Sequence, residues 1–183
     1  HHFLHYEKTI EACYRVLKHK GIAIFAEPFR TGNQPIWLMI SLMAEFDKQS
    51  SKPIFSTAIH NRMYSFASGC NMLLNLEKNK EYDKLSKYED KYQFSMEQME
   101  KLSKKIGFSK FISLIDIDNK CLDYFPTIDL YISQIELYMG LIIKNWKFDK
   151  KFMTIVELVY NIMVKPFWGQ NFCCLYTSFC MIK

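Results

Sequence analysis

An unbroken apolar run, Ile22 to Ala26, follows an amphipathic helix pattern and ends in Glu27-Pro28. This stretch sets the strongest limit on how the chain folds. Tyr6, Ile10, Cys13, Tyr14 and Leu17 recur at the spacing of one helix face, and Glu7, Lys8, Glu11, Arg15 and Lys18 fill much of the other. Lys18, His19 and Lys20 bring positive charge to the helix end, where the dipole favours it, and Gly21 suits a left-handed stop. A short run without polar alternation suits a strand covered on both faces, as in a parallel sheet. Helix, glycine and strand together make half of an α/β crossover unit.

Beyond Pro28, residues 29–34 read as a turn-rich loop, and Pro35 to Asp47 as a strongly apolar helix, either core or a lid. Ile54 to Leu76 reads as one or two helices with Ser68-Gly69 as a possible joint. Glu77 to Lys91 alternates charge sign, as a solvated helix or loop does. Ser95 opens a helix with Gln98 as its capping-box partner, Met96, Met99, Leu102 and Ile106 line it, and Gly107 stops it. A strand follows from Phe108 to Ile117, then the acids Asp116, Asp118 and Asp123, read as turn residues rather than a metal site. Thr127 and Asp149 are placed to cap two further helices, with Pro166 ending the second, and Phe172 to Ile182 is an aromatic-rich closing strand.

The size, 183 residues, allows a real core. The net charge of +5 is scattered among acids, which argues against nucleic-acid binding. Six cysteines without a Cys-x-x-Cys pair read as free thiols of a reducing compartment, which makes the cytoplasm the expected location. No apolar run approaches the ~20 residues of a membrane span. A Gly-x-Ser-x-Gly elbow, a phosphate loop and His-Glu-x-x-His are all absent.

Two blocks carry a family resemblance. His-His-Phe-Leu-His-Tyr, then Arg15-Val16-Leu17-Lys18 ahead of Gly21, then Ile-Phe-Ala-Glu-Pro resembles the second half of a class I S-adenosylmethionine-dependent methyltransferase. The helix from Ser95 ending in Gly107-Phe108 resembles the family's helix before its sixth strand. Lys20-Gly21 stands where the family has Gly-Gly. Phe3, Leu4 and His5 continue the pattern smoothly, which favours His1-His2 as native residues over a tag remnant.

The resemblance implies an α/β fold over residues 1–183. It would be the carboxyl-terminal part of a Rossmann-like sheet, incomplete and mostly parallel, with an antiparallel final strand and helical insertions at about 35–90 and 127–165. The family's glycine-rich cofactor loop precedes the matching blocks. The implied activity is methyl transfer from S-adenosyl-L-methionine to a small-molecule acceptor, as part of a larger catalytic domain and inactive in this piece alone. The alternative is a non-catalytic methyltransferase-like scaffold for protein interaction. A homodimer is compatible with either, and no metal is expected.

The expected catalytic residue is one of His1 and His2, with His2 ahead, acting as base or substrate orienter. His1 and Phe3 fall at the implied cofactor boundary. Glu27, at the end of the strand, and Arg30 are candidates for polar substrate groups, and Phe29, Trp37 and Tyr64 for an apolar wall. Each has an ordinary structural reading too: loop arginine, core aromatic, strand-end acid.

Overall fold

The computed structural model describes residues 1–113, 127–166 and 176–183. The order is α1 (Tyr6–Val16), β1 (Ile22–Pro28), α2 (Arg30–Gln49), α3 (Thr57–Lys78), α4 (Tyr82–Leu85), α5 (Met96–Ile106), β2 (Lys110–Ser113), α6 (Ile128–Ile142), α7 (Met153–Val159) and β3 (Tyr176–Ile182). A 3-10 turn at Lys150–Phe152 leads into α7, and a π turn at Tyr160–Val164 leaves it. The chain divides into two compact units. One comprises His1–Gly32, Leu73–Tyr124 and Cys174–Lys183, the other Asn33–Met72 and Phe125–Cys173.

The first unit holds the sheet, whose order is β1-β3-β2. β3 lies antiparallel to both neighbours, with Phe25 opposite Phe179 and Ile112 opposite Cys180. Phe179 is fully buried between Phe25 and Phe111, both with ring centroids 5.3 Å away. Tyr6, Ile10, Phe94, Met99 and Met181 complete this core around them.

The sheet corrects the expected fold. Helix makes up 61 % of the described residues, and the described strands pair only antiparallel, so this is not a mostly parallel Rossmann-like sheet. Parallel contact is limited to an isolated bridge between Phe29 and Phe94. The reason lies in β1, whose apolar run suggested cover on both faces. Its burial alternates instead, with Ile22 55 % and Ile24 69 % exposed. Such alternation belongs to a sheet with one packed face.

Local signals in this unit mostly take their expected form. Ser95 caps α5 by accepting from the Gln98 N–H at 3.1 Å, and Gly107 ends it with φ +105°. Gly21 is different: the left-handed residue is Lys20, at φ 64°. A Cβ on Gly21 would stand 2.8 Å from the Lys18 carbonyl oxygen, so the glycine is needed for space. Lys183 donates to the Leu17 carbonyl and lies over the Tyr14 ring, which ties the end of β3 to α1.

The second unit is helical. Ile36, Met39, Ile40, Met43, Tyr131, Ile135, Met139 and Val156 are among its buried residues. The expected loop at residues 29–34 is helix from Arg30 onward, with Pro35 inside α2. The Pro35 carbonyl accepts from the Tyr131 hydroxyl at 3.0 Å. Ser68-Gly69 is no joint, since α3 runs through it. Thr127 caps α6, and Asp149 caps the 3-10 turn before α7. Cys13 and Cys180 are free thiols. The beginning of the closing strand, Asp116, Asp118, Asp123, Cys121, Cys173 and Cys174 lie outside the described residues, as does the expected strand beyond Ser113.

Candidate active site

β1 delivers Glu27 to the edge of the first unit's core, and the segment before α1 lies across it. The His1 ring Nδ1 stands 2.6 Å from Glu27 Oε2, with both side chains mostly buried. Nε2 of the same ring faces Asp90 Oδ1 at 3.3 Å. His1 is thus an imidazole between two carboxylates, one enclosed and one exposed. The backbone fixes this arrangement, because the Lys91 N–H donates to the His1 carbonyl at 3.2 Å. The Tyr92 hydroxyl donates to the Leu4 carbonyl at 2.6 Å just beyond. The phenol of Tyr92 is pushed up to about 12 by burial, with Glu7 and Glu77 adding to it.

Beside this pair lies a pocket of about 180 Å³. Its walls are apolar for the most part: Phe3, Ile10, Phe25, Phe94, Met99 and Phe179. His1, Glu27, Thr9 and Tyr6 are its remaining lining residues. The Tyr6 oxygen accepts from Gln98 Nε2 at 2.8 Å. Burial, then the charges of Glu7 and Glu77, push this phenol well above the ordinary tyrosine range. Gln98 also donates to Glu77 Oε1 at 3.1 Å and accepts from Arg30 Nη2 at 3.2 Å. Burial raises the Glu77 carboxyl, against the pull of Gln98 and Arg30.

The sequence candidates separate accordingly. His1, Phe3 and Glu27 meet at the pocket. His2 stands next to it, its ring 3.9 Å from that of His1, with Nδ1 3.1 Å from the Glu89 carbonyl oxygen. Arg30 is the first residue of α2, not a loop residue, and is occupied by Gln98 and the Gln93 carbonyl. Phe29 is core, 1 % exposed, behind the pocket wall. Trp37 and Tyr64 belong to the other unit. Trp37 is buried there, and Tyr64 donates to Glu45 Oε2 at 2.6 Å on an exposed face. Sequence reasoning passed over Tyr6 and Thr9 because they fell within a helix pattern. It passed over Asp90 because a mixed-charge run carries no signal for any one acid.

S-adenosylmethionine makes a poor match to these residues. Sites for molecules of its size enclose roughly 300–1,000 Å³, above the pocket's 180 Å³. The carboxylate at the pocket, Glu27, is already engaged by His1. The chain matches no family model, no curated protein and no solved structure. Among the described residues, no helix is long and apolar enough to cross a membrane.

Proposed function

We propose that the first unit binds a small, largely apolar molecule bearing a hydroxyl, and that His1 removes the hydroxyl proton. The observation that carries this reading is the 2.6 Å contact between His1 Nδ1 and Glu27 at the mouth of an apolar pocket. Glu27 takes the Nδ1 hydrogen, so Nε2 is the nitrogen that accepts, and the hydroxyl has to reach it on the side of the ring that faces Asp90. The imidazolium formed is flanked by Glu27 and Asp90. A histidine oriented by a carboxylate is the usual construction of a general base near neutral pH.

Methyl transfer, which the sequence resemblance implies, is one reaction such a deprotonation would serve; the pocket would then hold the acceptor alone, since S-adenosylmethionine does not fit it. The base is His1 rather than His2, whose ring turns to Glu89. A chromogenic phenol tests the reading without any cofactor. Bound at the pocket, it acquires phenolate absorbance at a pH where the free phenol stays neutral. Glu27→Gln abolishes that signal, and labelled S-adenosylmethionine then tests whether the bound phenol is methylated. Phenolate absorbance that is unchanged in Glu27→Gln and His1→Ala refutes the assignment of the base.

A second reading, a non-catalytic interaction domain, draws on the exposed apolar residues Val16, Ile22 and Ile24. It predicts no phenol binding.

A further inference from the structure

The geometry points to a binding site for a divalent transition-metal ion of the zinc class, formed by His1 Nε2, His2 Nδ1 and Asp90 Oδ1. The site shares His1 with the preceding reading but does not rest on it.

Three features carry the assignment. The first is spacing. Zinc ligands about 2.0–2.1 Å from the ion, at the tetrahedral angle, stand about 3.4 Å from one another. Asp90 Oδ1 is 3.3 Å from His1 Nε2 and 3.5 Å from His2 Nδ1. One ligand atom from each of the three residues lies within 4.8 Å of the other two.

The second feature is the orientation of His1. A metal-bound histidine usually gives its other N–H to a carboxylate, which fixes the tautomer and raises the ligand's basicity. Glu27 occupies that position on Nδ1 at 2.6 Å, and it is drawn from β1, an element remote in sequence from Asp90. The third is preorganisation. The Lys91 N–H donates to the His1 carbonyl, so backbone pairing already holds the two ligand segments side by side.

Two nitrogens and one carboxylate oxygen suit zinc, cobalt or nickel, whereas calcium and magnesium prefer all-oxygen sets. Three protein ligands leave a fourth position for water, as in catalytic zinc sites. His2 and Asp90 side chains are 54 % and 68 % exposed, which gives the ion a path from solvent. Binding costs the 3.1 Å contact between His2 Nδ1 and the Glu89 carbonyl, because that nitrogen must lose its hydrogen to take the ion. With the ion on Nε2, His1 no longer accepts a proton, so zinc and base function exclude each other.

Cobalt(II) tests the site, since tetrahedral coordination gives it visible absorption. Metal-free protein titrated with cobalt develops these bands and saturates at one ion per chain. Asp90→Asn and His2→Ala each weaken binding at least about tenfold, and Glu27→Gln weakens it about 10–100-fold through the orienting carboxylate. His5→Ala leaves the titration unchanged, because His5 packs against Tyr82 outside the cluster. Circular dichroism checks the fold of each variant, and the exposed positions His2 and Asp90 keep the test usable if Glu27→Gln does not fold. Absence of the bands overturns the proposal, as do bands of full affinity in Asp90→Asn. The cobalt titration needs no phenol, and the phenol experiment runs in chelator, so either reading can fail alone.

Discussion

Removing the Asp47 carboxylate tests how the second unit is held together. Asp47 sits near the end of α2 with its side chain fully buried. Oδ1 accepts from the Ile54 N–H at 3.0 Å and from Lys151, and Oδ2 accepts from the Phe55 N–H at 2.9 Å. His60 Nε2 stands 3.0 Å from Oδ2. One carboxylate therefore joins α2, the turn after it, α3 and the segment before α7. Burial works against its ionisation, but the Ile54 amide, Lys151, the Phe55 amide and His60 outweigh that and bring its pKa down to about 2.

Asp47→Ala leaves the buried Phe55 N–H and the Lys151 ammonium without their acceptor. Removing one partner of a buried ion pair costs about 3–5 kcal/mol. At about 2–4 °C per kcal/mol for a chain of this size, the melting temperature falls by roughly 6–20 °C near neutral pH. If the two units melt separately, only the transition of the unit containing Asp47 moves. The pH dependence has a definite sign. The folded pKa lies below the ordinary 3.8, so the stabilisation is complete above that value and is lost as pH falls towards 2. The lost amount is roughly 2 kcal/mol. Asp47→Asn removes that acid-side slope. Calorimetry or circular dichroism melts from pH 6 down to about pH 2 measure both effects. A melting point within about 2 °C of wild type, or an undiminished acid slope in Asp47→Asn, refutes the hub role.

Gly107→Ala forces a side chain into φ +105° and places Cβ 3.3 Å from the Tyr14 hydroxyl, so it destabilises by about 1–2 kcal/mol in urea unfolding. Lys20→Gly relaxes the left-handed φ of 64° and raises stability by up to about 1 kcal/mol; a loss of stability in the same assay contradicts this. Tyr92, with its pKa near 12, is protonated when folded at pH values where the unfolded phenol ionises. Stability therefore falls as pH rises from 10 towards 12, and Tyr92→Phe flattens that fall in alkaline melts. β1 is an edge of the described sheet and exposes Ile22 and Ile24, so Ile24→Lys reduces concentration-dependent association in light scattering.

How much the sequence disclosed depended on the range of the interaction involved. The stops and starts of helices are local contacts. Ser95, Gly107, Thr127 and Asp149 could therefore be assigned from neighbours within three or four positions, and the structure uses each as a cap or stop. The stripe of α6 is local as well, with Tyr131, Ile135, Met139 and Ile142 at helical spacing and all buried. The sidedness of β1 was not local. Ile22 to Ala26 carries the same apolar run whether one face or two are covered, and only the position of the strand in the sheet decides. Glu27 was conspicuous as the acid that ends that run. Nothing local paired it with a histidine, and the ring that meets it at 2.6 Å is that of His1.

Two carboxylates take their roles from the fold alone. Asp47 ends an apolar helix pattern and Asp90 sits in a run of alternating sign, so neither stands out in the sequence. What makes them different is the set of donors that the fold brings to them. Asp47 receives Lys151, 104 positions away, and Asp90 faces His1 and His2, which are remote from it in sequence. No spacing within a helix or strand encodes such a meeting. A buried or convergent carboxylate is thus read from the partners that surround it. The two sites whose chemistry matters most here, the Asp47 hub and the His1–Glu27–Asp90 cluster, are both of that kind.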